Sequence, residues 1–180
     1  MNASGPTSSH ASRRQRGIAL ITSLILLVVM TLLGLAVIRS ITQEERMAGQ
    51  NYSRSLSFQA TESALRTAEE LIETKKPTPA AGTGCTLVNG LMSCGAPLAT
   101  ATPRWNDTAF ASWEALPAVG SGTLAVTPQY FVEYLGNTYA CNPGNAAALD
   151  LCKRYRITAR SSDGTGGKTM VMLQSVYATD

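Results

Sequence analysis

Between Ile18 and Ile38 the sequence carries 21 consecutive residues without a charged side chain, and RRQRG stands immediately before them. As a helix rising about 1.5 Å per residue, that run reaches about 32 Å, enough to cross a hydrocarbon core of about 30 Å. Arg13, Arg14 and Arg16 on its N-terminal side hold the short tail in the cytoplasm, so the chain after Arg39 is expected outside. The pattern is that of a single-pass protein with a long exported part.

Beyond Arg39 the periodicity becomes that of an amphipathic helix. Ile41, Ala48, Tyr52, Leu56, Ala60 and Ala64 recur at intervals of four or seven, and Phe58, Leu65 and Ile72 make a second seam seven apart. Glu44, Glu45, Glu62, Glu69, Glu70 and Glu73 alternate with Arg46, Arg54 and Arg66 on the wet side. No proline interrupts residues 39–76, so one helix is predicted from Ile18 to about Lys76. Gly34 and Gly49 are its weak points, each costing about 1 kcal/mol relative to alanine. KKPTPAAGTG (75–84) ends it, since lysines suit a helix C-terminus and the prolines forbid continuation.

The remainder reads as a small antiparallel sheet, which with the helix makes an α+β protein. QYFVEYL (129–135), KRYRITARS (153–161) and KTMVMLQSVYA (168–178) are rich in β-branched and aromatic residues. SDGTGG joins the last two as a glycine-rich hairpin loop. WNDTAFASWEAL, with Trp105, Phe110 and Trp113, reads as a short helical piece between helix and sheet. At about 100 residues such a head has a small core of its own, and the inner half of the long helix is its natural filling.

The cysteines fall as two local pairs in the exported half. Cys85 and Cys94 bracket TLVNGLMS, and Cys141 and Cys152 bracket NPGNAAALDL. An even count in an oxidising compartment points to disulfides. Asn89-Gly90 is a strong signal for a two-residue hairpin turn. Counting outward from it, Val88 faces Leu91, Leu87 faces Met92, Thr86 faces Ser93, and Cys85 faces Cys94. Hydrogen-bonded and non-hydrogen-bonded sites alternate from the turn, which puts the two cysteines on a non-hydrogen-bonded site, where side chains approach closest. Zinc is the competing reading, but C-x8-C and C-x10-C lack knuckle spacing.

Charge and residue inventory narrow the chemistry. The chain has 15 Lys+Arg against 12 Asp+Glu, and three of the arginines precede Gly17, so residues 18–180 balance at 12 of each. The only histidine, His10, also lies in the tail, leaving no imidazole for a Ser/His triad, a Cys/His pair or a His-ligated metal in the exported part. No catalytic residue, cofactor or metal is expected. Arg154, Arg156 and Arg160 share one strand face by period two. A solvated sheet surface suits them better than a DNA-phosphate site, given the neutral balance and no aromatic interleaving on that face. Trp105 and Trp113 fit packing, with a sugar-binding platform as the alternative.

Basic tail, glycine, apolar run and amphipathic continuation together resemble a type IV prepilin. RRQRGIALITSLILLVVMTLLGLAVIRSITQEERMAGQNYSRSLSFQATESALRTAE is similar to the N-terminus of the PilX family of minor pilins, most specifically at EERMAG and FQATESALR. YRITARSSDGTGGKTMVMLQSVYA similarly resembles that family's C-terminal end. Together these cover about half the chain, at both ends and in the right order. The resemblance implies a type IV pilin-like fold: leader peptide 1–17, transmembrane half-helix 18–38, amphipathic half-helix 39–76, and periplasmic head 77–180.

It also implies that a prepilin peptidase cuts between Gly17 and Ile18 and methylates the new amine. An ordinary signal peptide would need a shorter apolar core and an A-x-A-like site, and a plain uncleaved anchor is the other alternative. Most type IV pilins carry glutamate at the fifth mature position, which here is Thr22. A carboxylate there is costly in hydrocarbon unless it pairs with the terminal amine of the subunit above. Thr22 offers no such charge, yet the amine of Ile18 can receive the glutamate of a subunit added below.

The expectation is therefore a minor pilin at or near the tip, priming or capping assembly and supporting twitching motility. Its expected partners are other minor pilins and the major pilin through the N-terminal helix, the prepilin peptidase and the inner membrane. A large tip adhesin is a further partner the reading admits, and nucleic acid is not expected. Before assembly the head faces the periplasm; afterwards the protein is on the pilus. A tip adhesion module and a type II secretion pseudopilin are the alternatives, and an anchored enzyme fits least.

Overall fold

The structure is a computed structural model that describes residues 16–141, 150–162 and 169–180. The expected leader through residue 15, the interior of the Cys141–Cys152 loop and residues 163–168 of the glycine-rich connection lie outside the described residues. By internal packing the chain forms two units, one ending at Ala48 and one running from Gly49 to Asp180.

Helix α1 spans Arg16–Lys75, 60 residues, close to the span its sequence predicts. It stops where Lys76 turns to φ 45°, its N–H donating to the Ile72 carbonyl at 2.8 Å, and Pro77 follows. That is a left-handed C-terminal cap carried by lysine in place of the usual glycine.

Within the second unit the buried stripe of α1 is Ser57, Ala60, Thr61, Ala64, Ala68 and Ile72. Small side chains at most of these positions let the sheet approach closely. The expected seams need correction. Ile41, Tyr52 and Phe58 are about half exposed, at 48%, 59% and 47%. A seven-residue repeat drifts about 20° per turn-pair on a straight helix. Phe58 and Ile72, two such repeats apart, thus point differently, and only Ile72 falls within the buried stripe.

The sheet contains β1 (Cys85–Val88), β2 (Leu91–Gly95), β3 (Glu114–Ala115), β4 (Gln129–Ala140), β5 (Leu151–Arg160) and β6 (Met172–Thr179). Their order is β1-β2-β4-β5-β6, with the short β3 also pairing with β4. The β1–β2 hairpin turns on Asn89 (φ 50°) and Gly90 (φ 83°), both positive as the tight turn requires. Its register places Val88 against Leu91 and Cys85 against Cys94.

One expectation fails: the sheet is mixed, because β2 runs parallel to β4, with Ser93 opposite Val132 and Gly95 opposite Tyr134. A parallel pair needs a long crossover. Residues 96–128 supply it with short 3-10 turns and β3, so no helical periodicity announces it. The predicted helical piece at Trp105 is likewise only a 3-10 turn, Arg104–Asn106. Asp107 Oδ1 accepts the Ala109 N–H at 2.9 Å, an Asx turn that competes with helix continuation.

Alternation along the strands gives the sheet two different faces. Tyr130, Val132, Tyr155, Ile157 and Ala159 join Ala64, Ala68 and Ile72 in the main core. Phe131, Glu133, Arg154, Arg156 and Arg160 occupy the opposite parity. There the crossover folds over the sheet, and Phe131 meets Phe110 and Trp113 edge-on, each at 4.8 Å between ring centres.

Candidate functional site

The first candidate is the helix start. Every described side chain from Gly17 to Ala48 is exposed, and the apolar ones include Ile18 at 70%, Leu27 at 65% and Met30 at 69%. This segment is long and apolar enough to cross a membrane. No group lies within 4 Å of where a side chain on Gly17 would begin, so the backbone at the predicted cut is unobstructed.

The hydroxyls in this run are satisfied locally. Thr22 Oγ1 donates to the Ala19 carbonyl at 3.0 Å, Ser23 Oγ to Leu20 at 2.9 Å and Thr31 Oγ1 to Val28 at 2.8 Å. Such back-bonding lets a hydroxyl sit in an apolar environment without an external partner. Thr22 therefore makes no demand on a neighbouring chain, whereas a carboxylate at that position would.

The second region is the arginine face of the head, which is far from a bare solvated sheet. Glu133 is fully buried and accepts from Arg104 Nη1 at 2.6 Å through one oxygen and from Arg156 at 2.6 Å through the other. Arg104 also donates to the Gly95 carbonyl at 2.8 Å and the Thr83 carbonyl at 3.1 Å. The three charges thus tie the disulfide hairpin, the crossover and strands β4 and β5 together. The arginines also stack on rings: Arg154 on Tyr139 at 4.6 Å, Arg156 on Trp105 at 4.4 Å and Arg160 on Trp113 at 4.0 Å. The expectation of no aromatic interleaving is overturned, because Trp105 and Trp113 come from the crossover rather than from the strand. Sequence reasoning missed Glu133 and Arg104. The signal was an acid inside the apolar strand QYFVEYL, sharing the side-chain parity of Phe131.

A disulfide joins Cys85 to Cys94 across the hairpin, and a second joins Cys141 to Cys152 across the ends of β4 and β5. Among the described residues no group of three or more His, Cys, Asp or Glu side chains could hold a metal ion.

The helix end is clamped to the last strand. Ser175 donates to Glu69 at 3.2 Å, Tyr177 to Glu73 at 3.0 Å, and Lys76 Nζ reaches Asp180 at 3.2 Å and Glu73 at 3.5 Å. Hydrogen bonds from the Thr179 and Tyr177 hydroxyls hold the Glu73 carboxyl below its ordinary value, and Lys76 adds to this. The same Lys76 hydrogen bond lowers Asp180, while Asp180 in turn raises Lys76. Beneath this clamp Tyr155 donates to the Pro77 carbonyl at 3.0 Å, and Tyr130 to Gly90 at 2.8 Å. Burial pushes both phenols up to about 12.

The helix start thus presents an uncovered apolar surface, and the head a sheet face closed by rings and the Glu133 ion cluster. Compared with known families, residues 16–66 match the family described as PilX N-terminal, and residues 58–179 match the one described as Type IV pilus assembly protein PilX C-term. No curated protein and no solved structure matches.

Proposed function

Because the chain belongs to the PilX family of type IV pilus assembly proteins, we propose that it is a minor pilin that primes or caps the pilus at or near its tip. It acts there through helix packing and not as an enzyme. The observation that carries this reading is the run Ile18–Ile38, apolar and exposed along its length, with Thr22 satisfied inside its own helix.

Such a surface calls for cover from outside the chain, first from inner-membrane lipid and then from the helices of other minor pilins and the major pilin. Cutting between Gly17 and Ile18 by the prepilin peptidase, with methylation, leaves a cationic amine at the end of that surface. A glutamate from a subunit added below pairs with it, while Thr22 has no charge to place on a subunit above. The chain is thereby suited to being followed more than to following. Before assembly its head lies in the periplasm, and in the pilus it stands where a large tip adhesin would be met.

A deletion strain scored for surface pili and twitching tests the reading. Loss of both, restored by the wild-type chain, is expected; normal numbers of functional pili would contradict it. Intact mass of the mature protein checks processing, since a mass retaining residues 1–17 excludes the cut.

A further inference from the structure

We propose that the head carries a binding site for a neutral pyranose, in the cleft where the crossover folds over the β5–β6 end of the sheet. The cleft measures about 390 Å³, within the size of small-ligand sites. Trp105, Phe110, Met170 and Met172 provide apolar wall, and Asn106, Asp107 and Thr108 line it from three consecutive loop positions.

Polar side chains on a loop are ordinarily just hydrated. Two observations set these apart. First, Asn106, Asp107 and Thr108 stand exposed side by side on the cleft rim, the loop that carries them fixed by the Ala109 N–H donating to Asp107 Oδ1 at 2.9 Å. An amide, a carboxylate oxygen and a hydroxyl are thus available beside aromatic surface. Second, the platform is rigid: Arg156 stacks on Trp105 at 4.4 Å and is itself held by the buried Glu133 at 2.6 Å. A preorganised ring and loop lose little freedom on binding, which is where weak ligands gain affinity.

The ligand class follows from the mixture. A pyranose offers a flat C–H face to an indole and hydroxyls that both donate and accept, matching acceptor-only Asp107 and the two-way groups of Asn106 and Thr108. Asp107 repels phosphate and acidic sugars. Arg160 is committed to the Trp113 ring and donates to Gln129 at 2.8 Å, so it does not offer a ready anion site. An aromatic peptide side chain would use the walls and waste the polar groups. This site does not depend on the role of the helix in assembly.

The full-length chain in a detergent without a sugar headgroup is titrated with the methyl pyranosides of glucose, galactose and mannose and with N-acetylglucosamine. Tryptophan emission and saturation-transfer NMR are read up to about 50 mM. A saturable response at about 1–10 mM is expected for at least one sugar. Trp105→Ala should weaken it at least about tenfold and Asp107→Asn about three- to tenfold. An unchanged melting temperature is required of the Asp107→Asn chain, whose isosteric change keeps the fold even if Trp105→Ala does not. No saturable sugar response, an Asp107→Asn chain that binds as well as wild type, or binding of N-acetyltryptophanamide in place of sugars would overturn the proposal. Asp107→Asn should also restore normal surface pili to a deletion strain. Lost pili would reassign the cleft to assembly and overturn it equally, while the sugar titration stays independent of whether the chain primes pili.

Discussion

The chain before Gly49 and the chain after it are built by opposite rules, although one helix runs through both. In the first unit, described from residue 16, the helix exposes leucine, isoleucine and valine and returns the hydroxyls of Thr22, Ser23 and Thr31 to its own backbone. In the second, the helix buries small residues against a sheet whose opposite face is closed by aromatic rings and an internal ion cluster. Apolar surface is worth about 25 cal/mol per Å² once removed from water. The second unit gains that within the chain, whereas the first can gain it only from lipid or other chains.

Substitutions in the two units should therefore behave differently, and the sharpest case is the ion cluster. Glu133→Ala leaves Arg104 and Arg156 without their buried partner and should cost about 3–5 kcal/mol of stability in the head, read by chemical denaturation. A change below 1 kcal/mol would mean that water already serves the two guanidinium groups. Next comes the helix itself. Ile72→Ala, in the core, should cost about 2–5 kcal/mol, and Leu27→Ala, equally apolar but uncovered, should stay within about 0.5 kcal/mol by the same assay. Equal losses would erase the contrast between the units.

The smallest effect concerns acid. Glu73 is lowered in the folded chain, so its contribution is present above its ordinary value of 4.5 and fades as pH falls through the lowered one. Lys76 is raised, so its contribution holds below 10.5 and fades only above that. Melting temperature should be flat between pH 4.5 and 10, where the raised Tyr130 and Tyr155 begin to lose their contribution, and fall on the acid side. Glu73→Gln should make that acid limb shallower below about pH 4.5. An identical limb would place the acid sensitivity elsewhere.

What the sequence made legible was whatever is local. The helix span follows from periodicity and from the prolines after Lys76, and the register around Asn89-Gly90 follows from the turn alone. Non-local pairings were hidden. Ser93 lies beside Val132 in a parallel pair that no turn dictates, and the rings stacked on Arg156 and Arg160 come from a crossover about 50 residues earlier. For the same reason the arginine face read as solvated, and the partners of Glu133 were unreadable even though an acid in an apolar strand was in view. Phe58 was misplaced by a different error, treating a seven-residue spacing as if a straight helix preserved it.

The proposed tip role turns on Thr22, whose neutral side chain has no charge to place on a subunit above, while the Ile18 amine would receive one below. The direct measurement is immunogold labelling of pili carrying either the wild-type chain or Thr22→Glu. Label confined to tips for the wild type, spreading along the shaft for Thr22→Glu, is the predicted result. Wild-type label scattered along the fibre, or tip confinement unchanged by the added carboxylate, would contradict it.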